Sequence, residues 1–151
     1  MVQMLQAERN YLFFLLSKKE YSRFELKSKL KARNKLSHDE IEALLTEFSD
    51  QNWQSDRRLT EMLVASYLNK HYGKGRIIQK LVYEKQVDKV IVESVLSEQA
   101  IDWFHQASQC YENKYHSDIK DIKDKQKRIQ YLLRQGHDYT TAVEVVGNIQ
   151  L

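Results

Sequence analysis

The chain repeats itself every 51 residues, and this restricts its fold more than anything else in the sequence. "IEALL" begins at Ile41, "VESVL" at Val92 and "VEVVG" at Val143, which puts Glu42, Glu93 and Glu144 in one column. Leu30, Leu81 and Leu132 form a second column, and upstream Leu12 aligns with Leu63 and Leu16 with Tyr67. Self-similarity at this length marks tandem supersecondary units that each contact mainly their neighbours. The third copy departs at its start. Ile101, Phe104, Ala107 and Tyr111 keep a helical spacing but come a few residues early, which requires a longer first helix or a longer loop after it.

Within each unit the apolar spacing predicts three helices, at about 4–17, 23–33 and 38–48, then 56–70, 74–85 and 89–98, then 101–115, 122–135 and 140–148. With no proline and only 4 glycines, the chain has few of the residues that strand-rich folds use in their turns. The expected fold is all-α: an elongated array of three tandem three-helix repeats, spanning 1–51, 52–100 and 101–151. Start signals agree. Ser22, Gly73 and Asp124 share a repeat column and suit an N-cap, Ser37 with Glu40 reads as a capping box with Asp88 in the Ser37 column, and Gly136 suits a helix C-terminus.

"GKGRIIQKL" (73–81) invites a nucleotide-loop reading, which the spacing does not support. A Walker loop needs four residues between its glycines and a hydroxyl residue after its lysine, following a strand. Here one residue separates the glycines and a helix is expected to follow, so Gly73 reads as an N-cap. His38, His71, His105, His116 and His137 offer no i, i+4 pair, and Cys110 has no second cysteine beside it, so no metal site, cofactor or catalytic set is expected. The three column glutamates read as exposed helix positions without lysines around them. Trp53, Trp103, Phe104 and the tyrosines read mainly as packing residues, and Cys110 as a small core residue. A single cysteine allows no intrachain disulfide, and the longest early apolar run, Tyr11–Leu16, is far too short to cross a bilayer. A cytoplasmic protein without membrane attachment is the default expectation.

The cations carry a pattern. Residues 18–35, 70–89 and 114–134 hold 21 of the 24 Lys and Arg but only 7 of the 21 Asp and Glu, as expected if these segments share a surface. Arg23, Lys74 and Lys125 follow the expected N-caps, where a cation is unfavourable beside the positive end of the helix dipole and so suggests an anionic partner. Lys29 aligns with Lys80 and Arg76 with Lys127, and Arg76 and Lys80 share a helix face away from Ile77 and Leu81. With Lys27, Arg57, Arg58, Arg128 and Arg134, these residues form the expected partner-binding set. A solvated face that aids solubility is the plain alternative.

The chain also resembles a known family. "SRFELKSKL" (22–30), "SDRRLTEMLVASYL" (55–68), "YGKGRIIQKL" (72–81) and "LLRQGHDYTTAVEVV" (132–146) are similar, in order and over nearly the whole chain, to segments of RecX, the bacterial regulator of the RecA recombinase. The resemblance implies a non-enzymatic protein that binds the RecA filament on single-stranded DNA. Such a protein would lie in the filament groove across neighbouring protomers and limit ATP hydrolysis, strand exchange and coprotease activity. A monomer is expected, with direct contact to DNA phosphates left open. Two other readings remain: a sequence-independent nucleic-acid binder acting through its basic middle helices, and a protein scaffold. Base readout is disfavoured because third helices such as "SHDEIEALLTEF" are acidic.

Overall fold

The computed structural model describes residues 2–147, and every described element is helical. In order they are α1 (Val2–Lys18), α2 (Arg23–Arg33), α3 (His38–Asp50), α4 (Asp56–Asn69), α5 (Lys74–Ile78), α6 (Lys89–Gln99), α7 (Trp103–Lys114), α8 (Ile122–Arg134) and α9 (Tyr139–Val146). A π-helical run, Gln79–Glu84, continues α5 and completes the middle helix expected there. Residues 148 and 151, where the last helix and the last repeat were expected to end, lie outside the described residues.

Caps fix most of the starts. Ser22 and Ser37 each accept from the third backbone amide of their helix while Glu25 and Glu40 reach back, giving two complete capping boxes. Asp88, Asp102 and Asp138 cap α6, α7 and α9. The expected cap at Asp124 is corrected by one turn: Asp121 caps α8 by accepting from the Asp124 amide, and Asp124 accepts from the Lys120 amide. Lys125 therefore sits inside the helix and not at its first position.

The repeat is preserved in packing more than in strict spacing. Leu30, Leu81 and Leu132 are all fully buried at the same place in α2, the π-helical run and α8. In the first helices, Val64 and not Leu63 takes the position of Leu12, both being fully buried. In the last helices, the amides of Ile41, Val92 and Ala142 close the first turn onto the cap residues Ser37, Asp88 and Asp138, so Ala142 takes the third place in that column. Val143 therefore stands where Glu42 and Glu93 do, and Glu144 falls out of the expected glutamate column. The early apolar positions of the third unit come from a longer loop, 115–121, after a short α7.

Three hydrophobic clusters result. One spans Leu12 to Phe48, the next Leu59 to Leu96, and the last Cys110 to Val146. The accessible surface is 9331 Å² for an 18.0 kDa chain. A compact monomer of that mass exposes roughly 8,000 Å², so the excess fits three small cores better than a single large one. No described helix is long and apolar enough to cross a membrane.

Candidate functional site

The glycines of "GKGRI" form a joint between consecutive units. The Gly73 amide donates to the Gln135 carbonyl at 2.8 Å and the Gly75 amide to the Gly136 carbonyl at 3.0 Å. Both glycine amides, which a nucleotide loop would turn toward a phosphate, are thus already paired. A Cβ on Gly73 would lie 2.3 Å from the Gly136 carbonyl carbon, and one on Gly136, whose φ is +96°, would lie 2.4 Å from the Arg76 nitrogen. Only glycine permits this approach of two backbones. Beside it His137 is buried, its Nε2 2.9 Å from the His71 carbonyl, so that nitrogen carries the proton and donates. Burial pushes its imidazole below the ordinary value, against the opposing effect of that hydrogen bond.

The preceding joint uses side chains. Ser22 Oγ donates to the Lys85 carbonyl at 2.8 Å and Lys85 Nζ pairs with Glu25 at 3.0 Å. Arg58 pairs with Glu20 at 2.7 Å, and Asp56 Oδ1 accepts from the Arg23 amide and from Gln54. Ser22 and Gly73 hold the same repeat position, and the carbonyls they donate to, Lys85 and Gln135, each belong to the C-cap of a middle helix, so one interface is built in two chemistries.

The joints and cores divide the twelve expected partner-binding cations. Arg23 and Lys27 both reach Glu42, at 3.0 and 2.6 Å, and with Lys27 the stronger influence they push its carboxyl down to about 2. Glu42 was expected to be free of lysines; it lies half-buried between two cations. Arg57 bridges Glu61 and Glu98. Arg58 adds the Asn52 and Trp53 carbonyls, each at 3.0 Å, to its pair with Glu20. Arg128 is buried. It donates to Tyr111 Oη and the Ser117 carbonyl, both at 2.8 Å, pairs with Asp124 at 3.1 Å, and lies over the Tyr115 ring at 4.6 Å. No part of this guanidinium is left to meet a partner.

The other cations are more available. Lys29 lies over Tyr21 and Lys80 is 4.0 Å from Glu84. Lys74, Lys125, Lys127 and Arg134 make no ion pair among the described residues, and Lys74, Lys127 and Arg134 are exposed. Arg76 stacks on Tyr72 at 4.0 Å and donates through Nη1 to Gln135 Oε1 at 2.7 Å. The fold brings Arg76 and Arg134, 58 residues apart in the chain, to the wall of one open cavity at the second joint. Gln79 and Gln135 line it too, and nothing in the repeat pattern singles them out. On the other side of the joint a cavity of about 360 Å³ is walled by Ile78 and Trp103. The 360 Å³ cavity does hold Thr141, Asp138 and His137, but Asp138 is engaged as the cap of α9 on the Thr141 amide and the Nε2 of His137 donates to the His71 carbonyl; among the described residues no group of three His, Cys, Asp or Glu side chains converges to hold a metal. Burial pushes the Cys110 thiol up, as suits a core residue.

No family model matches the chain. It is 38% identical over 143 residues to Regulatory protein RecX of Haemophilus influenzae (strain PittEE), covering 93% of each chain. It is 36% identical over 143 residues to Regulatory protein RecX of Acinetobacter baylyi, covering 94% of this chain and 87% of that one. In fold it is similar to the crystal structure of RecX from Lactobacillus salivarius, with a TM-score of 0.82 and 21% identity over 97% of this chain and 96% of the other.

Proposed function

The chain belongs to the RecX family of regulatory proteins, and from that premise we propose that it binds the RecA filament assembled on single-stranded DNA and restrains it. It lies in the filament groove as an extended monomer, spans neighbouring protomers, and limits ATP hydrolysis, strand exchange and coprotease activity without chemistry of its own. The observation that carries this reading is family identity along almost the entire chain, all three units included. The fold supports it, because a row of small helical units offers a long contact surface more readily than an enclosed reaction site. The contact falls to the cations that the fold leaves available, Lys29, Lys74, Arg76, Lys80, Lys125, Lys127 and Arg134.

The experiment is a RecA ATPase assay on single-stranded DNA with increasing amounts of the protein. The rate should fall, and pelleting should place the protein with the filaments. An unchanged rate at saturating protein would sink the proposal. Reversing the charge at Lys74, Lys80 and Lys127 should weaken inhibition while the helical signal stays. Arg76 is unsuited to that test because it also holds the second joint.

A further inference from the structure

Helix α8 differs from the other middle helices in what it shows to solvent. Its buried side carries Arg128, Ile129 and Leu132. Its exposed side carries Lys123, Gln126, Lys127, Gln130 and Arg134. The only carboxylate in α8, Asp124, is engaged by the Lys120 amide and by Arg128. Lys123, Lys127 and Arg134 make no ion pair among the described residues. In α2, by contrast, Arg23 and Lys27 are neutralised by Glu42 and Arg33 by Glu8. From Lys123 to Arg134 the stripe runs about 16 Å along the helix at 1.5 Å per residue.

The stripe ends at the open cavity of the second joint. That cavity has a volume of about 630 Å³, and its lining includes Arg76, Gln79, Arg134 and Gln135 but no carboxylate. The Arg76 guanidinium is held in place by Tyr72 on one side and Gln135 Oε1 at Nη1, which leaves the rest of its fork to be satisfied. A planar, oriented guanidinium with a second arginine and two side-chain amides around it matches the oxygens of a phosphodiester.

We infer that the exposed stripe of α8 and the Arg76–Arg134 cavity form a binding track for the phosphodiester backbone of single-stranded nucleic acid. One phosphate seats in the cavity, and the phosphates that follow it run along Arg134, Lys127 and Lys123. A single strand fits this track better than a duplex, because a flexible backbone can enter a recess between two helical units where a stiff double helix cannot. The cavity lining holds no carboxylate, and beside the stripe Asp121 and Asp124 are engaged by backbone amides and Arg128, which favours a continuous polyanion over a protein surface of mixed charge. The track shares Arg76, Lys127 and Arg134 with the cations proposed for the filament contact, but strand binding is tested on the protein without RecA.

Fluorescence anisotropy of a dye-labelled oligothymidylate with the purified full chain tests this. The wild type should bind at low salt, with log affinity falling by about 0.7 per phosphate contact for each unit of log salt. Lys123→Gln, Lys127→Gln and Arg134→Gln together should lower affinity roughly tenfold or more and flatten that slope by about 2. Lys18→Gln, Lys31→Gln and Lys35→Gln remove the same charge from exposed positions of the first unit and should change affinity much less. Arg134→Lys keeps the charge and loses the fork, so it should weaken binding with the slope nearly unchanged. All of these side chains are exposed, so melting curves should superimpose on the wild type. Equal losses in the two triple variants, no binding by the wild type, or equal affinity for a duplex of the same length would each overturn the inference. The RecA ATPase assay is read separately and stands or falls independently of these results.

Discussion

Arg128 and Lys127 are neighbours in sequence and opposites in role. Lys127 points to water, whereas Arg128 is withdrawn into the third unit, where six acceptor atoms and two tyrosine rings surround it. Arg128→Met would take this donor from the Ser117 and Asp118 carbonyls and leave Asp124 with only the Lys120 amide. It should therefore cost roughly 2–3 kcal/mol in urea unfolding, while Lys127→Met should cost almost nothing. Similar losses in the two variants would refute this division. Glu42 makes a second residue-level prediction. Lys27 and Arg23 hold its folded value near 2 against an ordinary 4.5, so the unfolded chain takes up this proton first as pH falls. The stabilisation is fully present above about pH 4.5 and disappears as pH approaches 2. Glu42→Gln should accordingly lower the melting temperature at neutral pH, and the gap from wild type should close in acid. A gap that persists at pH 2 would mean that packing, not charge, holds this residue.

Among the elements, the middle helices matter most, because each begins at a joint. Ser22 and Gly73 occupy the same column, so Gly73→Ser looks conservative, and it even supplies the side-chain cap that α5 lacks. The joint predicts the reverse. The new Cβ would collide with the Gly136 backbone, and overpacking of this kind costs about 1–3 kcal/mol. Calorimetry should show a lower melting temperature, and His137 should lose its contact with His71. A stabilised Gly73→Ser protein would mean that the two joints are interchangeable. The π-helical run has a comparable role. It places one more residue between Leu81 and its turn than α8 places after Leu132: the turn closes from Val87 to the Leu81 carbonyl in one case and from His137 to the Leu132 carbonyl in the other. Lys85 is thereby set against Ser22 and Glu25.

For the whole molecule, three small cores and an enlarged surface predict an extended particle. A compact chain of this length has a radius of gyration of about 15 Å. Solution scattering should give a clearly larger value, and light scattering the mass of one chain. A radius near the compact value, or a dimer mass, would contradict the proposed extended monomer. His137 couples this scale to pH. Its folded value is depressed, so the unfolded chain binds protons first below the ordinary value of 6.5. Stability is complete above that pH and declines below it, and His137→Val, which copies the buried Val87 of the second unit, should flatten the decline.

The sequence by itself determined the helices, most of their ends and the family. Helical periodicity, caps and the 51-residue repeat are local signals, written in residues a few positions apart, and Leu30, Leu81 and Leu132 are buried as their column predicts. Where local spacing slipped, by one turn at Asp124 and by one residue at Leu63 and Glu144, the repeat column misled; at Asp124 and Glu144 hydrogen bonds to the actual cap set the register. What the cations do was decided only by tertiary structure. Arg23, Lys27 and Arg58 read the same as Lys74 and Arg134 in a linear chain. They differ because helices distant in sequence bring carboxylates to the first group and leave the second facing water. The three glycines likewise gave no local sign that Gly73 and Gly75 face Gly136, since a close approach of backbones exists only once the two units are packed together.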